Sequence, residues 1–371
     1  MMTFKHLAPA LTALTLGFGL AAAVAQTLRG PADGPAAASA PAAAQDGVTT
    51  RDAEWQDAAR QRAVPVRIYL PAAPNGTGTA GTGTAGAGTA GTGIPLKKSP
   101  LVLFSHGLGG TRMGYSHLGR HFAQHGFIAV HVQHAGSDRA VWQGGPLTLL
   151  GNVRDAASET NALARVQDMS FALTTLLADP TLGTLIDPQA IAVAGHSYGA
   201  NTAMLIAGAA VERDGKRISY ADARVKAVIL LSAPPFHGEG NQAAVLQSVK
   251  LPTLHITGTE DVIRVPGYGS DVVDRIGVFR DMPAARPGMK TLAIFEGGEH
   301  SVFTDRTRSE RALAIKAATR DLCLAFLRAT LQGQSEAVTA AIAQAKPLLI
   351  DAERLLARRL EAQLHSNAGA N

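Results

Sequence analysis

Short apolar runs rich in β-branched residues recur along this chain. Each stops at a glycine or a small polar residue, and stretches with helical periodicity lie between them. The runs are "LVLFSH" (101–106), "FIAVHVQ" (127–133), "AIAVAG" (190–195), "VKAVILLS" (225–232), "TLHIT" (253–257) and "TLAIFE" (291–296). The helical stretches are 113–125, 154–179, 198–211, 308–332 and 336–365, with Leu163, Val166, Leu173 and Leu177 on one side of the second. Strands this apolar need cover on both faces, and parallel strands need crossovers. The expected fold class is therefore α/β, with a mostly parallel central sheet and helices on both faces. Ligands in such sheets sit beyond the carboxyl ends of the strands, so the residues just after each run carry the functional question.

The chain has 371 residues, 46% of them hydrophobic, which is enough for a large core. Residues 1–25 combine Lys5, an apolar centre from Leu11 to Leu20 and Ala23-Val24-Ala25, and they read as a signal peptide cut before Gln26. A retained membrane anchor is the alternative, but the run is short and its end is processable. Export to the periplasm or medium is the expected localisation. The net charge of +5 falls to +4 when Lys5 leaves, and the basic residues are scattered, so nucleic acid is not an expected partner. One cysteine, Cys323, excludes an internal disulfide and reads as a buried small hydrophobe in "LCLAFL". Residues 26–50 read as a flexible lead-in, 51–332 as the main domain and 333–371 as a helical extension. Within the domain, 64–71 alternate like an edge strand, and the Gly/Thr/Ala-rich segment 75–93 reads as a surface loop with too little apolar area to order itself.

After the run 190–195 comes Gly195-His196-Ser197-Tyr198-Gly199. A serine at a sharp strand-to-helix turn is held in a strained conformation with its hydroxyl exposed, and the flanking glycines relieve crowding where strand and helix meet. The helix aims its N-terminal amides at negative charge developing beside Ser197. A nucleophilic serine needs a base, and the base needs an orienting acid. "TLHIT" is followed by Gly258-Thr259-Glu260-Asp261, and "TLAIFE" by Gly297-Gly298-Glu299-His300. Asp261 is the candidate acid, with Glu260 beside it as the alternative, and His300 is the candidate base. "LFSHGLGG" places glycines where amides can turn inward, so the Leu108 and Tyr198 amides are the candidate oxyanion donors. A phosphate loop at "GLGG" is disfavoured, because no Lys-Ser/Thr pair follows. His131, His134 and Asp138 lack a persuasive third metal ligand, and hydrogen bonds that hold their loop are the preferred reading. Trp142, Phe236 and Val262 follow other strand ends and are candidate pocket residues.

Together "LFSHGLGGTRMGYSHLGRHFAQHGFIAVHVQHAGSD", "AVAGHSYGANTAML", "GTEDVI" and "GGEHSVF" resemble bacterial α/β-hydrolases grouped with dienelactone-hydrolase-like and platelet-activating-factor-acetylhydrolase-like proteins, over about residues 64–330. The order Ser, Asp, His agrees with that superfamily. The resemblance implies an α/β-hydrolase fold and a serine esterase acting on carboxylic esters (the EC 3.1.1 class), with no cofactor or metal. Dienelactone hydrolases proper carry a cysteine where Ser197 stands. The animal acetylhydrolases carry their acid after the strand that follows the nucleophile helix, and here that strand ends Ser232-Ala233-Pro234-Pro235. The acid then comes from Asp261, as in bacterial cutinase-like polyester hydrolases. The expected substrate is a small-molecule, lipid or polyester ester. An acyltransferase or peptidase on the same three residues, or a non-catalytic binding protein that kept the fold, are the alternatives.

Overall fold

The computed structural model describes residues 42–71 and 98–368, apart from 237, 266, 267 and 287. The proposed signal peptide and the 75–93 segment lie outside the described residues. One sheet of nine strands forms the centre, in the order β1-β2-β3-β5-β4-β6-β9-β10-β13. Its strands are β1 (Ala42–Gln45), β2 (Val48–Asp57), β3 (Arg62–Pro71), β4 (Ser99–Ser105), β5 (Ile128–Val132), β6 (Ile186–His196), β9 (Ala227–Leu231), β10 (Thr253–Glu260) and β13 (Lys290–Glu299). β1, β2, β3 and β5 pair antiparallel, and every pairing from β5 to β13 is parallel. Strand order reverses around β4, which puts the topological switch between the loops after β4 and β6.

The parallel strands are apolar on both faces because both are covered. Leu101 and Leu103 of β4, Ile191 and Val193 of β6, and Val228 and Leu230 of β9 pack into one layer with Val166, Met169, Leu173 and Met204. Val102, Phe104, Ala192, Ala194, Ile229 and Leu231 point the other way, against Leu118, Phe122, Leu322 and Phe326. The first layer is covered by α3 (Glu159–Ala178) and α5 (Tyr198–Ile206), and the second by α1 (Ser116–Gln124) and α8 (Glu310–Leu331). α2 (Pro146–Ala156) and α4 (Leu182–Leu185) flank α3, and α6 (Gln242–Leu246) and α7 (Val272–Asp281) complete the connections. Among the described residues, no helix is long and apolar enough to cross a membrane.

Several sequence expectations are corrected. The lead-in to residue 50 gives way to strand from Ala42, because β1 and β2 extend the sheet. β3 is consequently interior rather than an edge strand, paired to β2 on one side and β5 on the other. The single helix 154–179 is two helices, since Ser158 leaves helical geometry to cap α3 through a bond from the Asn161 amide. The helix 198–211 ends at Ile206, and a hairpin of β7 (Ala210–Arg213) and β8 (Lys216–Ser219) follows; a second hairpin joins β11 (Ile263–Val265) and β12 (Tyr268–Ser270). The C-terminal helix 336–365 is broken at Pro347 into α9 (Ala337–Ala345) and α10 (Ala352–Ala368). Between them the Ile350 amide donates to Ile294 O, so the break lets the chain cap the free edge of β13.

Candidate active site

Ser197 stands between β6 and α5 with φ 55° and ψ −123°, a strained conformation for a residue with a side chain. The turn is tight because strand and helix nearly touch. A Cβ at Gly195 would lie 2.1 Å from Gly199 O, and one at Gly199 would lie 2.0 Å from Ser105 O. Both positions therefore admit only glycine. The Ser197 hydroxyl lies 2.9 Å from His300 Nε2, and His300 Nδ1 lies 2.7 Å from Asp261 Oδ1. Glu260 does not take this place; the structure brings Asp261 to the histidine.

Asp261 is fully buried. Its Oδ2 accepts from Thr257 Oγ1 (2.7 Å) and Ser232 Oγ (2.5 Å), and Arg275 Nε lies 3.5 Å away. Burial alone would raise its carboxyl, but His300, the Arg275 charge and the Ser232 bond outweigh it and hold the group well below the usual carboxylate range. His300 Nδ1 faces only acceptors and so carries a proton, leaving the Nε2 lone pair toward Ser197.

The opposite wall is the loop after β4. His106 Nε2 accepts from the His134 amide (3.2 Å), so its Nδ1–H donates to Gly107 O at 2.7 Å. The Gly110 amide donates to the same carbonyl. In a trans peptide the Leu108 N–H must point opposite to this pinned carbonyl. Among the described residues, neither the Leu108 nor the Tyr198 amide has an intramolecular hydrogen-bond partner, whereas those of Gly107, Gly109 and Gly110 all do. One free amide belongs to the residue after the strained serine and the other to the glycine loop, whose Gly107 packs on His196; free amides of this kind are what an oxyanion requires. Burial, with Arg165 and His134 adding to it, pushes His106 well below the usual histidine range, so it acts as a neutral ring.

A directed chain joins the two walls. The Gly107 amide donates to the Tyr115 hydroxyl, which donates to His196 Nδ1 (2.8 Å), and His196 Nε2–H donates to His300 O (2.9 Å). Under the loop lies a second polar cluster. Buried Arg165 donates to Thr202 Oγ1, Ser137 Oγ, Ser105 Oγ and His106 O, and its guanidinium stacks 4.6 Å from the Tyr198 ring centre. His134 joins Ser105 Oγ to Asp168, which also holds Arg60 and Arg62. Asp138 caps the turn at 139–142 and accepts from Gln133, and His131 bonds Gly114 O. These residues hold their loop by hydrogen bonds. Trp142 Nε1 donates to Gly109 O, Phe236 packs on the core layer with α3 and α5, and Val262 is exposed.

Sequence reasoning missed Ser232, Tyr115, His196, Arg165 and Arg275 as residues of this region. Arg165 carries a readable signal, a charge one position from Val166 on the apolar side of a helix. Ser232 carries a weaker one, its place at a strand end.

The profile of platelet-activating factor acetylhydrolase, isoform II, matches residues 86–143, and that of serine hydrolase (FSH1) matches residues 187–274. The platelet-activating factor acetylhydrolase of Cavia porcellus is 31% identical over 140 residues, a match that covers 29% of this chain and 32% of that protein. The chain thus spans about a third of the length of this curated relative. The solved ferulic acid esterase from Streptomyces cinnamoneus shares 21% identity with a TM-score of 0.50, over 80% of this chain and 93% of that one. The two profiles fall on the segments that carry the glycine loop after β4 and the strained serine after β6; the fold is that of an α/β-hydrolase, and the chain is similar to serine hydrolases over those segments.

Proposed function

We propose that this protein is an exported serine carboxylesterase in which Ser197 is the nucleophile, His300 the base and Asp261 the orienting acid. One observation carries the reading: Ser197 Oγ, His300 and Asp261 form an unbroken hydrogen-bonded line that ends on a strained, partly exposed serine. Ser197 Oγ attacks the ester carbonyl while His300 Nε2 takes its proton, and Asp261 stabilises the imidazolium through Nδ1–H. The Leu108 and Tyr198 amides receive the oxyanion. On collapse His300 returns the proton to the leaving alcohol, and an acyl-enzyme forms on Ser197. Water, deprotonated by the same nitrogen, then releases the acid. The export half of the proposal rests on the Lys5-to-Ala25 pattern alone.

Ser197→Ala should lower kcat for p-nitrophenyl acetate by at least ~10⁴-fold, leaving roughly 10³-fold over water from the oxyanion donors and binding. A fluorophosphonate should label the native protein at Ser197 and not the variant. Undiminished hydrolysis in a folded Ser197→Ala protein ends the proposal. A series of esters from acetyl to long-chain, with a polyester film included, defines the acyl preference, and added alcohols separate hydrolysis from acyl transfer.

A further inference from the structure

Among the described residues, six without the freedom of glycine have positive φ: Asp46, Gln61, Tyr115, Ser197, Asp214 and Ser232. Asp46, Gln61 and Asp214 lie in exposed turns, where such geometry is common. Ser197 and Ser232 stand instead at neighbouring strand ends, after β6 and β9, and their hydroxyls meet the two nitrogens of one imidazole. Ser197 Oγ is 2.9 Å from His300 Nε2, and Ser232 Oγ is 2.7 Å from His300 Nδ1.

The direction of each bond at Ser232 follows from counting protons. Its hydroxyl has one hydrogen. Asp261 is ionised and can only accept, so that hydrogen goes to Asp261 Oδ2 at 2.5 Å. The Ser232 lone pair then faces His300 Nδ1, as does Asp261 Oδ1 at 2.7 Å. The Nδ1–H therefore sits between two acceptors on different strands. A ring that pivots out of line with one acceptor stays held by the other. The φ of 53° turns the Ser232 side chain into this position, and its own amide stays anchored to Ile256 O at 2.7 Å. The residue is fully buried, so bulk water does not compete with the hydroxyl for its partners.

We propose that Ser232 is a positioning residue for the base: a second acceptor that fixes the tautomer and ring plane of His300 while donating to Asp261. The inference rests on the proposed roles of Ser197, His300 and Asp261. When Nε2 takes the nucleophile's proton, the imidazolium shares its Nδ1–H between carboxylate and hydroxyl. That interaction is stronger with the charged ring than with the neutral one, so its loss falls on kcat rather than on KM.

The test uses Ser232→Ala and Ser232→Gly in the full chain. Both remove the hydroxyl, but glycine also relaxes the positive φ, so they separate chemistry from backbone strain. In both variants kcat for p-nitrophenyl acetate should fall about tenfold, the value of one hydrogen bond to a charged group, with KM within about twofold. Fluorophosphonate labelling of Ser197 should slow by the same factor yet reach completion. The downfield imidazole Nδ1–H line in the proton NMR spectrum should shift in both variants, a change that a purely structural residue would not cause. Native kcat in both variants, or loss in the alanine variant that glycine restores, overturns the role of the hydroxyl. Neither result touches the wider proposal, which falls only if Ser197→Ala remains active.

Discussion

The molecule contains the same chemical array twice. Ser197, His300 and Asp261 line up at 2.9 and 2.7 Å; Ser105, His134 and Asp168 line up at 3.0 and 3.1 Å, through the same ring nitrogens in the same order. In both, a buried aspartate also meets arginine. The surroundings of the serine differ. Ser105 lies inside the regular ladder of β4, fully buried, and its oxygen already accepts from Arg165. Ser197 is off the ladder in a strained turn, and its imidazole partner keeps 21% of its side-chain surface exposed. Connectivity of serine, histidine and aspartate is therefore not enough to mark a catalytic site. Access for a substrate, a hydroxyl oxygen to which no arginine donates and nearby free amides separate the candidate site from the support beneath it.

Replacing the acid of each array should give opposite phenotypes. Asp261→Asn keeps most of the local bonds but offers His300 Nδ1 a poorer partner, and should lower kcat by ~10⁴-fold while the protein stays folded. Asp168→Ala leaves Arg60, Arg62 and His134 without their common carboxylate, and should destabilise the fold by about 3–5 kcal/mol. Urea unfolding and initial rates on the same preparations check both. A native unfolding midpoint together with abolished activity in Asp168→Ala would mean that the buried array is more than a support.

The contrast could be read only in part from the chain. The Ser197 turn is a local steric problem, and Gly195 and Gly199 reveal it within five residues. Asp261 and His300 follow from strand ends, because a parallel sheet gathers its C-terminal ends on one rim. The buried array was hidden because the helix pattern, even with a charge at Arg165 beside its apolar side, does not name the partners of Arg165 or Asp168, which come from the loops and strand ends across from it. Ser232 was hidden for a related reason: "LLSAPP" does not say which way its hydroxyl turns. β2 escaped because "TTRDAEWQD" is too polar to read as strand, although pairing with β3 needs only its backbone and one face.

The buried histidines should also set the acid limit of the fold. Burial, reinforced by Arg165, lowers His134 to about 4 against the opposing Asp168, and burial lowers His131 to about 4 as well. Asp168 is held at about 2, where the His134 and Arg62 bonds overcome its burial. All three folded values lie below the unfolded ones. Between about pH 6.5 and 4 the unfolded chain then binds more protons at the histidines, so their stabilisation, complete above that window, is lost as pH falls through it. The Asp168 contribution persists lower and goes as pH falls from 3.8 through about 2. Within the histidine window, His134→Gln should reduce the pH slope of the unfolding free energy by up to about 1.4 kcal/mol per pH unit, one proton's worth. Equal slopes in the two proteins would show that His134 does not contribute to that limit.

Trp142 offers the smallest and finest test, because it lies between the two kinds of residue. Its Nε1 donates to Gly109 O at 2.9 Å, and its ring fills the space that a Cβ at Gly109 would enter, 2.0 Å from the same nitrogen. It thus braces the glycine loop one residue from the Leu108 amide. Trp142→Phe keeps an aromatic wedge and removes one neutral hydrogen bond, worth about 1 kcal/mol. Gly109 is buried, so its carbonyl is left without this donor and the loss is not offset by solvent. The expected result is an unfolding loss of at least that figure and a change in kcat/KM of no more than about fivefold, about 1 kcal/mol in the barrier. A bracing residue should move both quantities together across Trp142→Phe and Trp142→Ala. A rise in KM that depends on the size of the acyl group, with stability unchanged, would instead place the indole against the substrate and move Trp142 from the support to the site.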